Sequence, residues 1–232
     1  HFDKVTDPSA GSYYIENLTN SIAEQAWKLF LEIQNEGGFF AAVEAGKVQE
    51  AMKATSAKRL KDVSARKEVL LGTNQFPNFS EMAAEKITKE ACTCTNCGCE
   101  TPRGLATLPT VRAAQEFEDL RLATERSAKR PKAFMLTIGN LAMRLARAQF
   151  SCNFFACAGY EVIDNLGFET VEAGVEAAQK AGADIIVLCS SDDEYAEYAP
   201  AAFKAIDGKQ IFVVAGAPAC MEDLQAAGIE NF

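Results

Sequence analysis

From Lys132 onward the chain alternates short, continuously apolar runs with helical stretches that end in glycine, and few folds accommodate that grammar. Ala133-Phe134-Met135-Leu136-Thr137-Ile138 runs into Gly139-Asn140, residues 141–158 form an apolar helical stretch closed by Gly159, and residues 160–163 are again β-prone. A helix over 170–181 closed by Gly182, the run Ile185-Ile186-Val187-Leu188-Cys189, a helix over 193–206, a strand over 210–215 and a helix over 220–227 complete the series. Strands that are apolar along their whole length are buried on both faces, which implies a parallel sheet between two layers of helices. Right-handed crossovers and a doubly wound, flavodoxin-like winding predict the strand order 2-1-3-4. A fifth strand is expected to start near Phe232, so this α/β domain over 131–232 reads as truncated.

The preceding residues follow a different pattern. Thr6-Asp7-Pro8-Ser9-Ala10-Gly11-Ser12 is turn chemistry, Tyr13-Tyr14-Ile15-Glu16 is a short β-prone run, and Leu18-Thr19-Asn20-Ser21 supplies a helix N-cap. Ile22, Ala26, Leu29, Phe30 and Ile33 recur at helical spacing until Gly37-Gly38. Helices are predicted over 39–54 and 56–68, a β-like run at Val69-Leu70-Leu71-Gly72, loop over 74–80, and helices over 80–90 and 110–126. One β-prone tetrapeptide and three helices cannot close a domain, so residues 1–80 are expected to be the mainly helical tail of a larger unit lying upstream, and residues 81–130 a linker.

Charge and histidine content exclude several functions. With 23 basic and 32 acidic residues the net charge is −9, which disfavours nucleic acid and anionic lipid as partners. No apolar run reaches the roughly 18 residues of a membrane span, and residues 1–9 lack the pattern of a signal peptide. The single histidine is His1, so no internal imidazole serves a catalytic triad or a His-containing zinc site. Eight cysteines without a signal peptide indicate reduced thiols in a cytoplasmic compartment. Cys92, Cys94, Cys97 and Cys99 have one pair at metal-knuckle spacing. Zinc sites normally draw two such pairs from separated positions, so a surface loop with exposed free thiols or an adventitious disulfide is expected rather than a metal centre. Cys152, Cys157, Cys189 and Cys220 stand singly in apolar elements and read as small core residues.

In a doubly wound fold, ligands bind beyond the carboxyl ends of the strands. The loops there are Gly139-Asn140-Leu141-Ala142-Met143, Asp164-Asn165-Leu166-Gly167, Ser190-Ser191-Asp192-Asp193-Glu194 and Gly216-Ala217-Pro218. The first carries no charge and one glycine, so it does not cradle phosphate. Ser190 and Ser191 are expected to cap the following helix, and Asp192, Asp193 and Glu194 to be a solvated acidic helix start. Phe150, Phe154 and Phe155 widen the apolar stripe of their helix, for core packing or for a partner interface. No catalyst is visible among these residues.

Val5-Thr6-Asp7-Pro8, Gly11-Ser12-Tyr13-Tyr14-Ile15-Glu16 and Leu18-Thr19 resemble the segment near the end of the substrate-binding, TIM-type barrel of methylmalonyl-CoA mutases. Gly37-Gly38, Gly46 and the set Gly72, Asn74, Phe76 are similar to later motifs of that family. Arg112, Phe117-Glu118 and Leu120-Arg121 resemble its linker helix, and Arg130-Pro131-Lys132 the entry to its cobalamin-binding domain. The resemblance implies a degenerate cobalamin-binding-like α/β domain preceded by the end of a barrel.

The same resemblance supplies expectations for the site. The family holds adenosylcobalamin with an Asp-x-His-x-x-Gly loop after its first strand, the His ligating cobalt. Here Asn140, Leu141 and Met143 occupy that loop, Ser190 and Ser191 the second contact region, and Gly216 a degenerate Gly-Gly turn. The departures resemble the smaller, non-catalytic subunit of bacterial heterodimeric mutases, whose partner is the catalytic large subunit. No cofactor is then expected on this chain, adenosylcobalamin belonging to the holoenzyme that interconverts methylmalonyl-CoA and succinyl-CoA. Leu141, Met143 and Phe150 are expected to fill the slot for the nucleotide tail. Two alternatives stand beside this: a cobalamin-binding part of an active mutase, with the Met143 thioether toward cobalt, and a thiol-metal module built on the four clustered cysteines.

Overall fold

A computed structural model describes residues 2–85, 108 and 111–232. Cys92, Cys94, Cys97 and Cys99, and the end of the helix expected over 80–90, lie outside the described residues. The chain divides into two compact units, one of residues 1–58 and 94–110, the other of residues 59–93 and 111–232. Residues 59–80, expected with the preceding helices, therefore belong to the second unit.

Among its described residues the first unit is helical: α1 (Tyr13–Asn35), α2 (Phe39–Glu44) and the start of α3 (Lys47–Ser64). Tyr13-Tyr14-Ile15-Glu16 is the first turn of α1, not a β-run. Asp7 folds the preceding turn by accepting from the Ser9 amide at 3.1 Å, and the Glu16 carboxylate reaches back to the Gly11 amide at 3.2 Å. These local bonds order the turn that leads into the helix, and Tyr13 and Tyr14 follow it as helical residues rather than extended ones. Thr19, expected in the N-cap segment, lies inside α1 and donates its hydroxyl to the Ile15 carbonyl at 2.8 Å. The break after α1 falls at Gly37 and Gly38, both with positive φ. The next break comes at Gly46 rather than between residues 54 and 56, because Thr55 bonds back to the Ala51 carbonyl at 3.0 Å within a continuous α3. Residues 69–72 form an isolated bridge, Leu71 to Gln75, in place of the expected β-run.

The second unit contains α4 (Gln115–Arg126), β1 (Lys132–Thr137), α5 (Leu141–Cys157), β2 (Glu161–Ile163), α6 (Val171–Lys180), β3 (Ile185–Cys189), α7 (Tyr195–Ile206), β4 (Ile211–Val214) and α8 (Met221–Ala226). The sheet is parallel throughout, in the order β2-β1-β3-β4, as the sequence predicts. Alternate residues of the strands feed two cores. Phe134, Leu136, Ile186, Leu188 and Val214 pack with α6, α7 and α8, whereas Ala133, Met135, Ile185, Val187 and Cys189 pack with α5 through Ala148 and Cys152. At the free edge of β4, the Val214 amide donates to the Asn231 carbonyl at 3.0 Å.

Two buried polar anchors order the segment before β1, one within residues 63–74 and one between residues 78–84 and α4. Asn74 accepts from the Leu70 amide at 2.8 Å and donates to the Val63 and Glu68 carbonyls at 2.7 and 2.9 Å. Arg121 pairs with Glu125 and donates to the Asn78 and Glu81 carbonyls, while Glu125 accepts from the Ala83 and Ala84 amides. Burial opposes ionisation of Glu125, but these amides and the Arg121 guanidinium outweigh it and hold the carboxyl below its ordinary range. No helix among the described residues is long and apolar enough to cross a membrane.

A crevice closed by its own charged side chains

The loops beyond β1 and β3 meet on one carboxylate. Glu194 accepts from the Asn140 amide at 3.0 and 3.1 Å, from the Ser190 hydroxyl at 2.5 Å, and from the Ser191 amide and hydroxyl at 3.2 and 2.7 Å. These donors, the Ser190 hydroxyl and Asn140 amide foremost, outweigh partial burial and hold the carboxyl down at about 2. Glu194 also occupies the N-cap of α7, where negative charge meets the positive end of the helix dipole. Gly139 has φ +75°, and a Cβ there would collide with the Glu194 carboxylate, so the bare backbone is required for this approach.

Two arginines one turn apart on α5 close the flanks. Arg144 donates to the Gly139 carbonyl at 3.2 Å and the Leu166 carbonyl at 3.0 Å, lying against Gly167. Arg147 pairs with Asp192 at 2.9 Å and lies against Gly216, whose φ is +145°. Asn165 ties the loop after β2 to the sheet, accepting from the Thr137 hydroxyl and the Gly167 amide and donating to the Met135 carbonyl. Tyr195, fully buried, accepts from the Ser190 amide at 3.1 Å and donates to the Ala215 carbonyl at 2.8 Å, joining the ends of β3 and β4. Burial pushes its hydroxyl up to about 12.

The candidate residues thus separate into two groups. Asn140, Ser190 and Ser191 come together on Glu194, and Gly216 sits under Arg147. Asn140 caps α5 by accepting from the Met143 amide at 3.1 Å. Ser190 and Ser191 do not cap α7 with their side chains: the helix begins at Tyr195 with Glu194 in the N-cap place, and both hydroxyls donate to that carboxylate. Leu141 is 60% exposed, Phe150 60% and Met143 37%, so these side chains do not fill an internal slot. Glu194, Arg144 and Arg147 close the crevice in their place. Sequence reasoning missed them; the legible signal was a Ser-Ser pair followed at three and four residues by Glu, facing a helix with arginines at i and i+3.

Beside Arg147 a cavity of about 400 Å³ lies between α5 and the β3–β4 face, lined mainly by Phe150, Phe154, Phe155, Val187, Val213 and Phe232. Cys152, Cys157 and Cys189 are buried and free, and burial pushes the Cys152 and Cys189 thiols up to about 12. Among the described residues no group of His, Cys, Asp or Glu is arranged to hold a metal. Among the described residues the arrangement offers hydrogen-bonded closure of the loops beyond β1, β2 and β3.

A family model described as methylmalonyl-CoA mutase matches residues 1–150. The chain is 61% identical over its whole length to the methylmalonyl-CoA mutase small subunit of Porphyromonas gingivalis, covering 37% of that protein. It is 35% identical over 89% of its length to the methylmalonyl-CoA mutase small subunit of Streptomyces virginiae, and 32% identical over 88% to that of Propionibacterium freudenreichii, covering 32% and 30% of them. The chain therefore spans about a third of the length of the curated relatives it matches. With the family model matching well over half of its residues, and a four-stranded parallel α/β unit following the helical segment, the chain belongs to the methylmalonyl-CoA mutase family.

Proposed function

We propose that this chain is the carboxy-terminal part of a small, non-catalytic mutase subunit, which binds no cobalamin of its own and stabilises a catalytic large subunit in the cytoplasm. The holoenzyme would isomerise methylmalonyl-CoA and succinyl-CoA with adenosylcobalamin on the partner. The similarity to small subunits of three bacteria supports the assignment. The observation that carries the non-catalytic reading is the Glu194 carboxylate seated on the Asn140 amide.

Adenosylcobalamin, which the family implies, does not fit these residues. The loop after β1 presents Asn140, Leu141 and Met143 without an imidazole, and Glu194 lies against Gly139 where the resemblance places the cofactor loop. The work left to the chain's own residues is structural: Glu194, Arg144, Arg147 and Tyr195 hold four loops in one closed arrangement. Titration of the chain with adenosylcobalamin, followed by absorbance and calorimetry, is expected to show no saturable binding at micromolar cofactor. A micromolar dissociation constant would overturn the reading. Co-expression with the large subunit should raise that subunit's unfolding temperature, and an unchanged temperature in a purified complex would remove the stabilising role.

A further inference from the structure

Among the described residues three that are not glycine have left-handed backbone: Arg66, Phe76 and Asp207. Asp207 closes α7, a place where a short polar side chain is tolerated. Arg66 closes α3. Its amide donates to the Val63 carbonyl at 3.0 Å and the Lys67 amide to the Asp62 carbonyl at 2.8 Å. That pair of bonds ends a helix on a left-handed residue, and glycine is its usual occupant. Phe76, a bulky ring in the same strained region, donates its amide to the Asn153 side-chain oxygen of α5 at 3.1 Å. Both residues line one pocket of about 200 Å³, together with Gln75, Gln149, Phe150 and Asn153. Arg66 is the pocket's only charged residue. Its guanidinium lies over the Phe150 and Phe154 rings, 5.1 and 5.4 Å from their centroids, and reaches the Cys157 sulfur at 3.9 Å. Among the described residues no carboxylate pairs with it; Glu68, two residues away, is bound by Arg59. A guanidinium carries five donors, so most of them are left for an acceptor from outside. Phe76, Phe150 and Phe154 are each more than half exposed around it. An arginine stacked on aromatic rings within an exposed apolar surface has the composition of a binding hot spot.

We infer that Arg66, Phe76, Phe150 and Phe154 form a docking surface for the catalytic large subunit, whose contact there is a side-chain carboxylate set among apolar residues. This rests on the reading of the chain as part of a small subunit, and adds where the partner sits and by what chemistry. Charge complementarity selects the carboxylate. A planar carboxylate matches the guanidinium fork, and the pocket's one charge is positive on a chain whose net charge is −9. The three rings exclude water around the pair, which strengthens it. The backbone strain is then the cost of holding a charged side chain at a helix end where glycine suits the turn better.

The test is Arg66→Gly in the complete small subunit, with affinity for the large subunit and the small subunit's own melting temperature both measured. Glycine fits the left-handed turn, so the melting temperature should hold or rise while the complex weakens about 10-fold or more. Arg66→Glu should weaken it further, by setting like charges against each other, and Arg66→Lys should recover only part of the native affinity. Added salt should weaken the native complex more than the Arg66→Gly complex. Phe150→Ser should weaken the complex, whereas Leu166→Ser, an exposed apolar change outside this surface, should leave it unchanged. Native affinity in Arg66→Gly overturns the inference. So does a lowered melting temperature in Arg66→Gly that Arg66→Lys restores, because the guanidinium would then be a staple within the small subunit. Self-association of the native small subunit that Arg66→Glu abolishes would make a second copy the occupant, and also overturns it. The two readings fail separately: cobalamin binding by the native chain defeats the non-catalytic assignment, whereas a native complex that Arg66→Gly and Arg66→Glu leave intact defeats the docking surface alone.

Discussion

Both α1 and β3 carry large apolar side chains, but every residue of β3 is buried and none of α1 is. Trp27, Leu29 and Phe30 on α1 stand 60%, 60% and 51% exposed. Ile186, Val187 and Leu188 on β3 lie between two layers of helices supplied by the same unit. The helix is bounded locally, by the turn that Asp7 and Glu16 order before it and by Gly37 and Gly38 at its close. The strand forms because neighbours on both sides and both faces complete it. Local signals can specify an element, but only apolar surface removed from water stabilises it appreciably.

That contrast is open to direct attack. Leu136→Ala should cost about 3 kcal/mol through the cavity it leaves in the sheet core, and Trp27→Ala less than about 1 kcal/mol, both read by denaturant unfolding of the α/β transition. Equal losses would mean that α1 is as integral to the folding unit as β1. Next in size, Arg121→Ala leaves Glu125 buried with two amides but no cation and should cost about 3 kcal/mol; Asn74→Ala, losing three backbone partners, should cost about 2 kcal/mol. Retention of stability in Arg121→Ala would show that residues 78–84 are only loosely attached to α4, and in Asn74→Ala that residues 63–74 hold their course without these bonds.

Smaller effects sharpen the picture of the crevice. Glu194 has a folded-state value near 2, below the unfolded value of roughly 4.3, so its contribution is complete above about pH 5 and is lost as pH falls toward 2. Glu125 and Asp184, also held low, act in the same direction. Glu194→Gln should therefore flatten stability between pH 5 and 2, an outcome checked by unfolding at a series of pH values. Arg147→Ala, breaking a partly exposed pair with Asp192, should cost less than about 1 kcal/mol. A thiol reagent at pH 8 should leave Cys152 and Cys189 unmodified until the chain unfolds, as burial pushes both thiols up to about 12.

The order of the sheet, the placement of β1, β3 and β4, and the glycine closures were legible because each depends on neighbours within a few residues and on a handedness rule. The lack of an internal imidazole was equally plain. Sequence and structure differ where a short-range preference meets a competing bond: the β-prone Tyr13-Tyr14 follows a turn ordered by Asp7 and Glu16 into α1, and Thr55, which bonds back to Ala51, lies inside a continuous α3.

The amino-acid sequence by itself determined that residues 132–232 wind a parallel sheet and that no histidine stands in its ligand-side loops, since apolar periodicity and composition are properties of the chain alone. Only the tertiary structure decided that Glu194, read as a solvated acidic helix start, is the group that closes the crevice. Its donors lie on loops separated by 54 residues at Asn140 and by three or four at Ser190 and Ser191. It likewise decided that Leu141 and Met143 point outward while Arg144 and Arg147 lie inward against Gly167 and Gly216. The physical reason is that a side chain's charge state and burial depend on which distant amides and hydroxyls converge on it, and no window along the sequence contains that convergence.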